Sequence, residues 1–288
     1  MPGLHPCHHA KTQPDKPAYI MAGSGETVSF AQLEARSNQI AHALRDAGCA
    51  PGDTIAIFAE NSPRYFEITW AGQRSGLYYV CISSRLTAPE VEYILRDSGA
   101  KLLVASASLG EHAVPAAKAA GIDACWSIDG EIDGFTPLET LRANYPDTPI
   151  PDEMAGTDML YSSGTTGRPK GIRPPLELGQ PIDGDNVLMQ IAGAMCGAGP
   201  DSIYLSPAPL YHAAPLRWCM SMTRFGATLI VMEKFDPEGY LEALETHKAT
   251  HSQLVPTMFV RMLKLPEEVR TKYDVSSLQC AIHAAAPC

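Results

Sequence analysis

Eleven residues, YSSGTTGRPKG from Tyr161 to Gly171, concentrate the groups that a polyphosphate needs. Gly164, Gly167 and Gly171 let the backbone approach a ligand closely and take positive φ angles. Successive backbone amides in such a loop form an anion-binding nest. Ser162, Ser163, Thr165 and Thr166 add neutral donors. Arg168 and Lys170 add positive charge in a chain whose formal charge is −10. The run through Met159 and Leu160 ahead of the loop has the pattern of a strand, and α/β folds present ligands at strand ends. A polar surface turn draws on the same small residues, but it does not close on two cations. The expectation is a phosphate-binding loop.

The spacing rejects the commoner phosphate loops. With Gly164 as the first glycine of a Walker loop, Pro169 stands where the second glycine belongs, and Gly171 rather than Ser or Thr follows Lys170. GSGETV at Gly23 has Val28 where a dinucleotide fingerprint needs its third glycine. The kinase lysine motif is absent, and no serine sits in a G-x-S-x-G elbow. HPCHHA, His5 to Ala10, gathers metal-ligating residue types, but they are crowded into a proline-flanked terminus and make a poor metal site. Cys288 follows a small-residue turn with no adjacent base, so a nucleophilic role is disfavoured.

Short apolar strands alternate with capped helices along most of the chain. Ser29 and Gln32 form a capping box before a helix that Gly48 ends. Strand DTIAIFAEN follows, then Ser62-Pro63 opens a helix reaching near Gly76, then strand LYYVCIS. Thr87 and Glu90 repeat the capping box, with Gly99 at the helix end and strand KLLVAS beyond. A helix near 108–120 and strand ACWSID complete that series. PDTPIPDEMAG, rich in proline and acid, is expected to be a linker before strand TDMLYSS. After a loop at IRPPLELGQPIDGD, helices are expected near 185–197, 212–224, 237–247 and 256–264, between strands SIYLSPAP, ATLIVME, THSQLV and QCAIHAA. Helices between short apolar strands imply an α/β fold of layered parallel sheets with flanking helices. The length of 288 residues suggests about two domains.

The 22 basic and 32 acidic residues give an average field that repels nucleic acid. Eight scattered cysteines without Cys-x-x-Cys spacing are expected to be reduced thiols. The N-terminus has no apolar segment of signal-peptide type, and no apolar run has transmembrane length. A soluble, cytoplasmic protein is expected.

Ser162 to Gly171 meets the pattern [ST]-[ST]-G-[ST]-[ST]-G-x-P-K-G and resembles the signature loop of the adenylate-forming superfamily of acyl-CoA synthetases, nonribosomal adenylation domains and firefly luciferase. LSPAPLYHAAPL, Leu205 to Leu216, looks like the family segment that carries a histidine near the acyl pocket, here His212. VPTM, Val255 to Met258, looks like the family turn lining the acyl tunnel. HAAAPC, His283 to Cys288, is similar to the G-G-A-P turn that cups adenine, with Ala284 and Ala285 in place of both glycines. QPDKPA, Gln13 to Ala18, resembles the family start. The resemblance covers nearly the whole chain, and bacterial fatty-acyl-CoA synthetases look most alike.

The resemblance implies a partial AMP-binding domain over residues 14–288, of the N-terminal acyl-CoA synthetase/luciferase-like fold. One subdomain would span about 62–180; the other would join about 14–60 and 190–288 in one sheet. It implies ATP-dependent activation of a carboxylic acid, a fatty acid in the first place, to an acyl-adenylate and then an acyl-CoA thioester. ATP, Mg²⁺ and coenzyme A would take part. Ser162, Ser163, Gly164, Thr165, Thr166, Gly167, Lys170 and Gly171 would hold the phosphates, with Lys170 supplying charge. His212 would gate or orient the carboxylate, and Ala285, Ala286 and Pro287 would flank adenine. The family's Thr-Glu segment, ribose aspartate, hinge and C-terminal catalytic lysine would all lie beyond Cys288. The expectation is therefore roughly the first half of a ligase, unable to adenylate efficiently alone. A non-catalytic acyl- or partner-binding protein of the same fold is the alternative, and an unfamiliar NTPase a weaker third.

Overall fold

The computed structural model describes residues 5–162, 169–184 and 186–283. The chain begins with α1 (Pro6–Thr12), β1 (Pro17–Met21), β2 (Thr27–Ser29), α2 (Phe30–Asp46), β3 (Thr54–Phe58), α3 (Arg64–Arg74) and β4 (Tyr78–Ile82). It continues with α4 (Ala88–Ser98), β5 (Ala100–Ser106), α5 (Gly110–Ala120), β6 (Ala124–Ile128), β7 (Thr136–Pro137), α6 (Leu138–Arg142), β8 (Thr157–Ser162) and β9 (Lys170–Ile172). The remainder is α7 (Val187–Cys196), β10 (Ile203–Ser206), α8 (Ala213–Phe225), β11 (Thr228–Val231), α9 (Pro237–His247), β12 (His251–Leu254), α10 (Pro256–Leu263), α11 (Glu267–Arg270) and β13 (Cys280–His283). There are two compact units: Met1–Leu33 with Asp185–Cys288, and Glu34–Gly184.

The helices and strands read from the alternation all form, displaced by a few residues at their ends, where fraying and caps blur boundaries. The capping boxes are made as expected. Gln32 N–H donates to Ser29 Oγ at 3.2 Å and Ser29 N–H to Gln32 Oε1 at 3.0 Å. Thr87 N–H donates to Glu90 Oε2 at 2.9 Å, and Gly99 closes α4 in the left-handed region at φ 65°.

In the Glu34–Gly184 unit the sheet order is β7-β6-β5-β3-β4-β8-β9. All its pairs are parallel except β8 with β9. Every residue of β3 and β4 is buried, which is why TIAIF and YYVCI read as continuous apolar runs rather than alternating ones. The position of β3 differs from the expected division. It pairs with β4 and β5, so residues 54–58 do not share a sheet with 190–288. The single helix α3 joins β3 to β4, and a one-helix crossover leaves consecutive parallel strands as neighbours.

The expected linker is instead a strap along α2. Asn38 Nδ2 donates to the Asp147 carbonyl at 2.8 Å, and His42 Nε2 to the Thr148 carbonyl at 2.9 Å. Arg45 pairs with Asp152 at 3.1 Å, and Ile150 is buried. Asn38, His42 and Arg45 lie on one helical face, so an extended proline-rich chain can satisfy its carbonyls there without joining a sheet. The strap ends on Arg74, whose guanidinium is fully buried. Arg74 pairs with Glu34 at 2.8 Å and has its Nε 2.9 Å from Glu153 Oε1, off-axis for a hydrogen bond.

In the unit of Met1–Leu33 with Asp185–Cys288 the order is β13-β12-β10-β11-β1-β2, parallel except for the β1–β2 hairpin. The GSGETV segment that failed as a dinucleotide fingerprint is this hairpin's turn. The amides of Gly23 and Ser24 each donate to the Glu233 carboxylate at 2.9 Å, so the nest is filled from within. HPCHHA forms the unforeseen helix α1, capped by His5 Nδ1 accepting from Cys7 N–H at 3.2 Å. His9 is buried against Phe30, its ring centroid 5.1 Å away. Its Nε2–H donates to the Arg224 carbonyl at 2.8 Å, and its Nδ1 accepts from Gln13 Nε2 at 3.1 Å. The first bond ties α1 to the end of α8, and the second closes α1 on its own C-cap residue.

Burial lowers the His9 pKa, His8 and Lys16 lower it further, and only the Arg224 hydrogen bond opposes them. A histidine whose folded pKa lies below its unfolded value of about 6.5 contributes stability that is full above that pH and is lost as pH falls through the folded value. Acidification from about pH 7.5 to about pH 5 is therefore expected to lower the thermal midpoint more in the wild type than in His9→Gln, which keeps a donor but cannot titrate. Equal losses in thermal melts at the two pH values would show that His9 is not the titrating group.

Candidate functional site

Both ends of the Tyr161–Gly171 motif, expected to bind phosphate, lie on the β8–β9 hairpin. Register places Leu160 opposite Ile172, Tyr161 opposite Gly171 and Ser162 opposite Lys170. β8 is held on its other edge by β4, with Val80 opposite Met159. Sequence reasoning placed a strand before the loop but missed β9, which is only three residues long and follows a proline. Gly171 is there for space. A Cβ on it would meet the Tyr161 ring at 2.8 Å and Met159 Cε at 2.8 Å. Tyr161 is fixed in turn by donating to Asp97 Oδ2 at 2.6 Å. Burial, then that bond, hold its hydroxyl well above the usual phenol range, so it remains a donor. The Lys170 side chain is exposed. Ser163, Gly164, Thr165, Thr166, Gly167 and Arg168 lie outside the described residues.

In the other unit, three segments leave the same edge of one sheet. β13, β12 and β10 are adjacent and parallel. Ser252 is opposite Leu205 and Leu254 opposite His283, so their carboxyl ends are side by side. From β10 the chain passes through Ala208, Leu210 and Tyr211, all buried, to His212, the N-cap residue of α8. His212 N–H donates to the Pro209 carbonyl at 3.2 Å, and its own carbonyl accepts from Leu216 N–H at 3.2 Å. Its exposed imidazole lies against the Tyr211 ring, tilted at 57° with centroids 4.5 Å apart. From β12 comes Val255, capping α10, with Pro256 in the first turn and Met258 buried beneath. From β13 the chain enters residues 284–288, so the expected adenine contacts Ala285, Ala286 and Pro287 lie outside the described residues. Carboxyl ends of adjacent parallel strands are where open α/β sheets bind ligands.

Gln253 was not singled out from the sequence. It is 1% exposed at the end of β12; its Nε2 donates to the Leu254 carbonyl at 2.9 Å, and its Oε1 has no hydrogen-bond partner among the described residues. The available signal was a glutamine just before the apolar pair Leu254-Val255 at the strand end, SQLV. Among the described residues no three His, Cys, Asp or Glu side chains group as a metal site, and no helix is long and apolar enough to cross a membrane.

Comparison with known proteins bears on the family and the fold. The chain is 31% identical to the fatty acid–[acyl-carrier-protein] ligase ScoC of Streptomyces coeruleorubidus, over 97% of this chain and 52% of that protein. It is 32% identical to a feruloyl-CoA synthase of Amycolatopsis sp., over 99% of this chain and 54% of that one. The chain thus spans about half the length of the curated relatives it matches. The crystal structure of the inhibitor-bound N-terminal domain of FACL13 from Mycobacterium tuberculosis superposes with a TM-score of 0.82 at 24% identity, covering 98% of this chain and 69% of that one. The fold is that of the N-terminal domain of acyl-CoA synthetases and luciferases. The family model for AMP-binding enzymes matches residues 7–288, and the chain belongs to that family.

Proposed function

We propose that this protein takes part in the ATP-dependent activation of a fatty acid to an acyl-adenylate, and from there to an acyl-CoA thioester. The observation that carries the proposal is the delivery of His212, the Val255–Met258 turn and the approach to residues 284–288 from three adjacent parallel strand ends. The hairpin that presents Ser162 and Lys170 supports it. A carboxylate is a poor electrophile. Its oxygen attacks the α-phosphorus of ATP, the bond to the β-phosphate oxygen breaks, and pyrophosphate leaves. The thiol of CoA then attacks the acyl carbon, AMP leaves, and the thiol proton passes to solvent. The first step requires positioning and neutralisation of phosphate charge.

Ser162, Ser163, Gly164, Thr165, Thr166, Gly167 and Gly171 would hold the β- and γ-phosphates through amides and hydroxyls, and Lys170 would offset their charge. His212 would orient the carboxylate, and Ala285, Ala286 and Pro287 would flank adenine. The loop's donor set fits a polyphosphate. Mg²⁺ would arrive on the ATP phosphates, as this ion commonly does. Residues 14–288 would form this AMP-binding region. ATP and CoA are cytoplasmic cosubstrates, and the protein is placed there with them.

Two relatives pull the substrate in different directions: ScoC is named for a fatty acid, the Amycolatopsis enzyme for a feruloyl group. Isothermal titration of the chain with non-hydrolysable acyl-sulfamoyl adenosines, fatty or feruloyl, separates them. Tighter binding of the fatty analogue is expected. Preference for the aromatic one would replace the substrate class. Binding of neither analogue, nor of ATP, would remove the proposal.

A further inference from the structure

Seven cysteines fall among the described residues, and all are thiols. Cys49, Cys81, Cys125 and Cys219 are buried, which makes them inert to dissolved oxidants. Cys196 and Cys280 are half-buried, and His251 touches one and pairs with the other. Secondary structure sets that meeting. β12 and β13 are parallel with His251 opposite Cys280, so the two side chains rise from the same face of the sheet. His251 is buried, and its Nε2–H donates to the Cys196 carbonyl at 2.9 Å. Its Nδ1 lies 2.8 Å from Thr250 Oγ1, which fixes the ring. The imidazole therefore holds the last residue of α7 over the strand neighbour of Cys280.

We propose that Cys196 and Cys280 are a redox-modification site, closing to a reversible disulfide that ties the end of α7 to β13. The oxidant is a low-molecular-weight disulfide. One protein thiolate attacks it, and the first small thiol leaves with a proton. The second protein thiolate attacks the protein sulfur of the mixed disulfide, and the second small thiol leaves. Two protein thiols give up two protons and two electrons, and the oxidant takes up both. His251 brings the two residues to one place on the sheet, which leaves their sulfurs a short path to the bond length of about 2 Å. Burial first, then the hydrogen bond and charge of Cys280, push the Cys196 thiol up to about 11. Exchange is accordingly slow at neutral pH and quickens about tenfold per pH unit as thiolate forms. The site stands apart from the proposed activity and does not depend on it.

The test exposes the full chain to oxidised glutathione at about pH 9, then alkylates, digests and maps it by mass spectrometry. The expected result is a loss of about 2 Da per chain and a peptide containing Cys196 linked to one containing Cys280, reversed by dithiothreitol. Cys288→Ser should keep the link, and Cys280→Ser should leave Cys196 only as a glutathione adduct. Phenylarsine oxide, which needs two adjacent thiols, should shield Cys196 and Cys280 of the wild type from alkylation, independently of any substitution. Linkage of Cys196 to another cysteine, adducts at both positions with no cross-link, or no arsenical protection would overturn the proposal.

Discussion

Glu67→Gln is expected to cost the protein about 3–5 kcal/mol, the range for removing one partner of a buried ion pair. Glu67 lies in α3 with its side chain fully buried, and three guanidinium groups converge on it. Arg36 is 2.9 Å away, Arg64 3.3 Å, and Arg142 makes the third contact from the end of α6. Those arginines are only 25%, 16% and 12% exposed, so water cannot fully replace the carboxylate. Glutamine keeps the shape and removes the charge, leaving three cations to repel one another at short range. Glu139, 3.3 Å from Arg64, is one partner that remains. With a urea dependence of about 2 kcal/mol per molar, the unfolding midpoint should fall by about 2 M. Adding Arg142→Met to Glu67→Gln should recover part of that loss, because it removes one of the mutually repelling charges. A midpoint within about 0.5 M of wild type in the single variant would show that the cluster is solvated in practice.

Lys170→Ala is expected to weaken ATP binding about 10- to 100-fold while leaving the thermal midpoint unchanged. That factor corresponds to the loss of one charge-assisted contact of about 1.5–3 kcal/mol. Lys170 opens β9 opposite Ser162, its side chain exposed, so it is not part of any core. Its position beside the loop is set by pairing, and Tyr161 anchored on Asp97 holds that pairing from behind. Lys170→Arg should retain part of the affinity, since it keeps the charge but changes the geometry of the donors. Lys118→Ala, on the exposed face of α5, serves as the control for bulk charge. Titration of ATP against the four proteins measures the effect. Equal losses in the Lys170 and Lys118 variants would mean that only net charge matters, and no loss would take Lys170 out of the phosphate site.

Much of the architecture was legible locally. Capping boxes at Ser29–Gln32 and Thr87–Glu90 and the helix-ending Gly99 act between residues three or four apart, so they read directly from the chain. The fully buried strands declared themselves as unbroken apolar runs. The Ser162–Gly171 motif and His212 stood out as candidates for a comparable reason. A short stretch of glycines, hydroxyls and a lysine is a local pattern, and so is a histidine set between a strand and a helix.

What only the tertiary structure decided is long-range pairing. Parallel strands are joined by whole helices, and no residue in β3 announces that its neighbours are β4 and β5 rather than a strand from the other end of the chain. The same distance hides the three arginines on Glu67, the strap from Asp147 to Glu153 along α2, and the meeting of Cys196 and Cys280 at His251. The side-by-side exit of β10, β12 and β13 was hidden for the same reason, although their motifs were visible one by one. Residue types and short spacings determined which chemistry this chain could carry. Sheet order, which depends on contacts between residues scores of positions apart, determined which of those residues stand together.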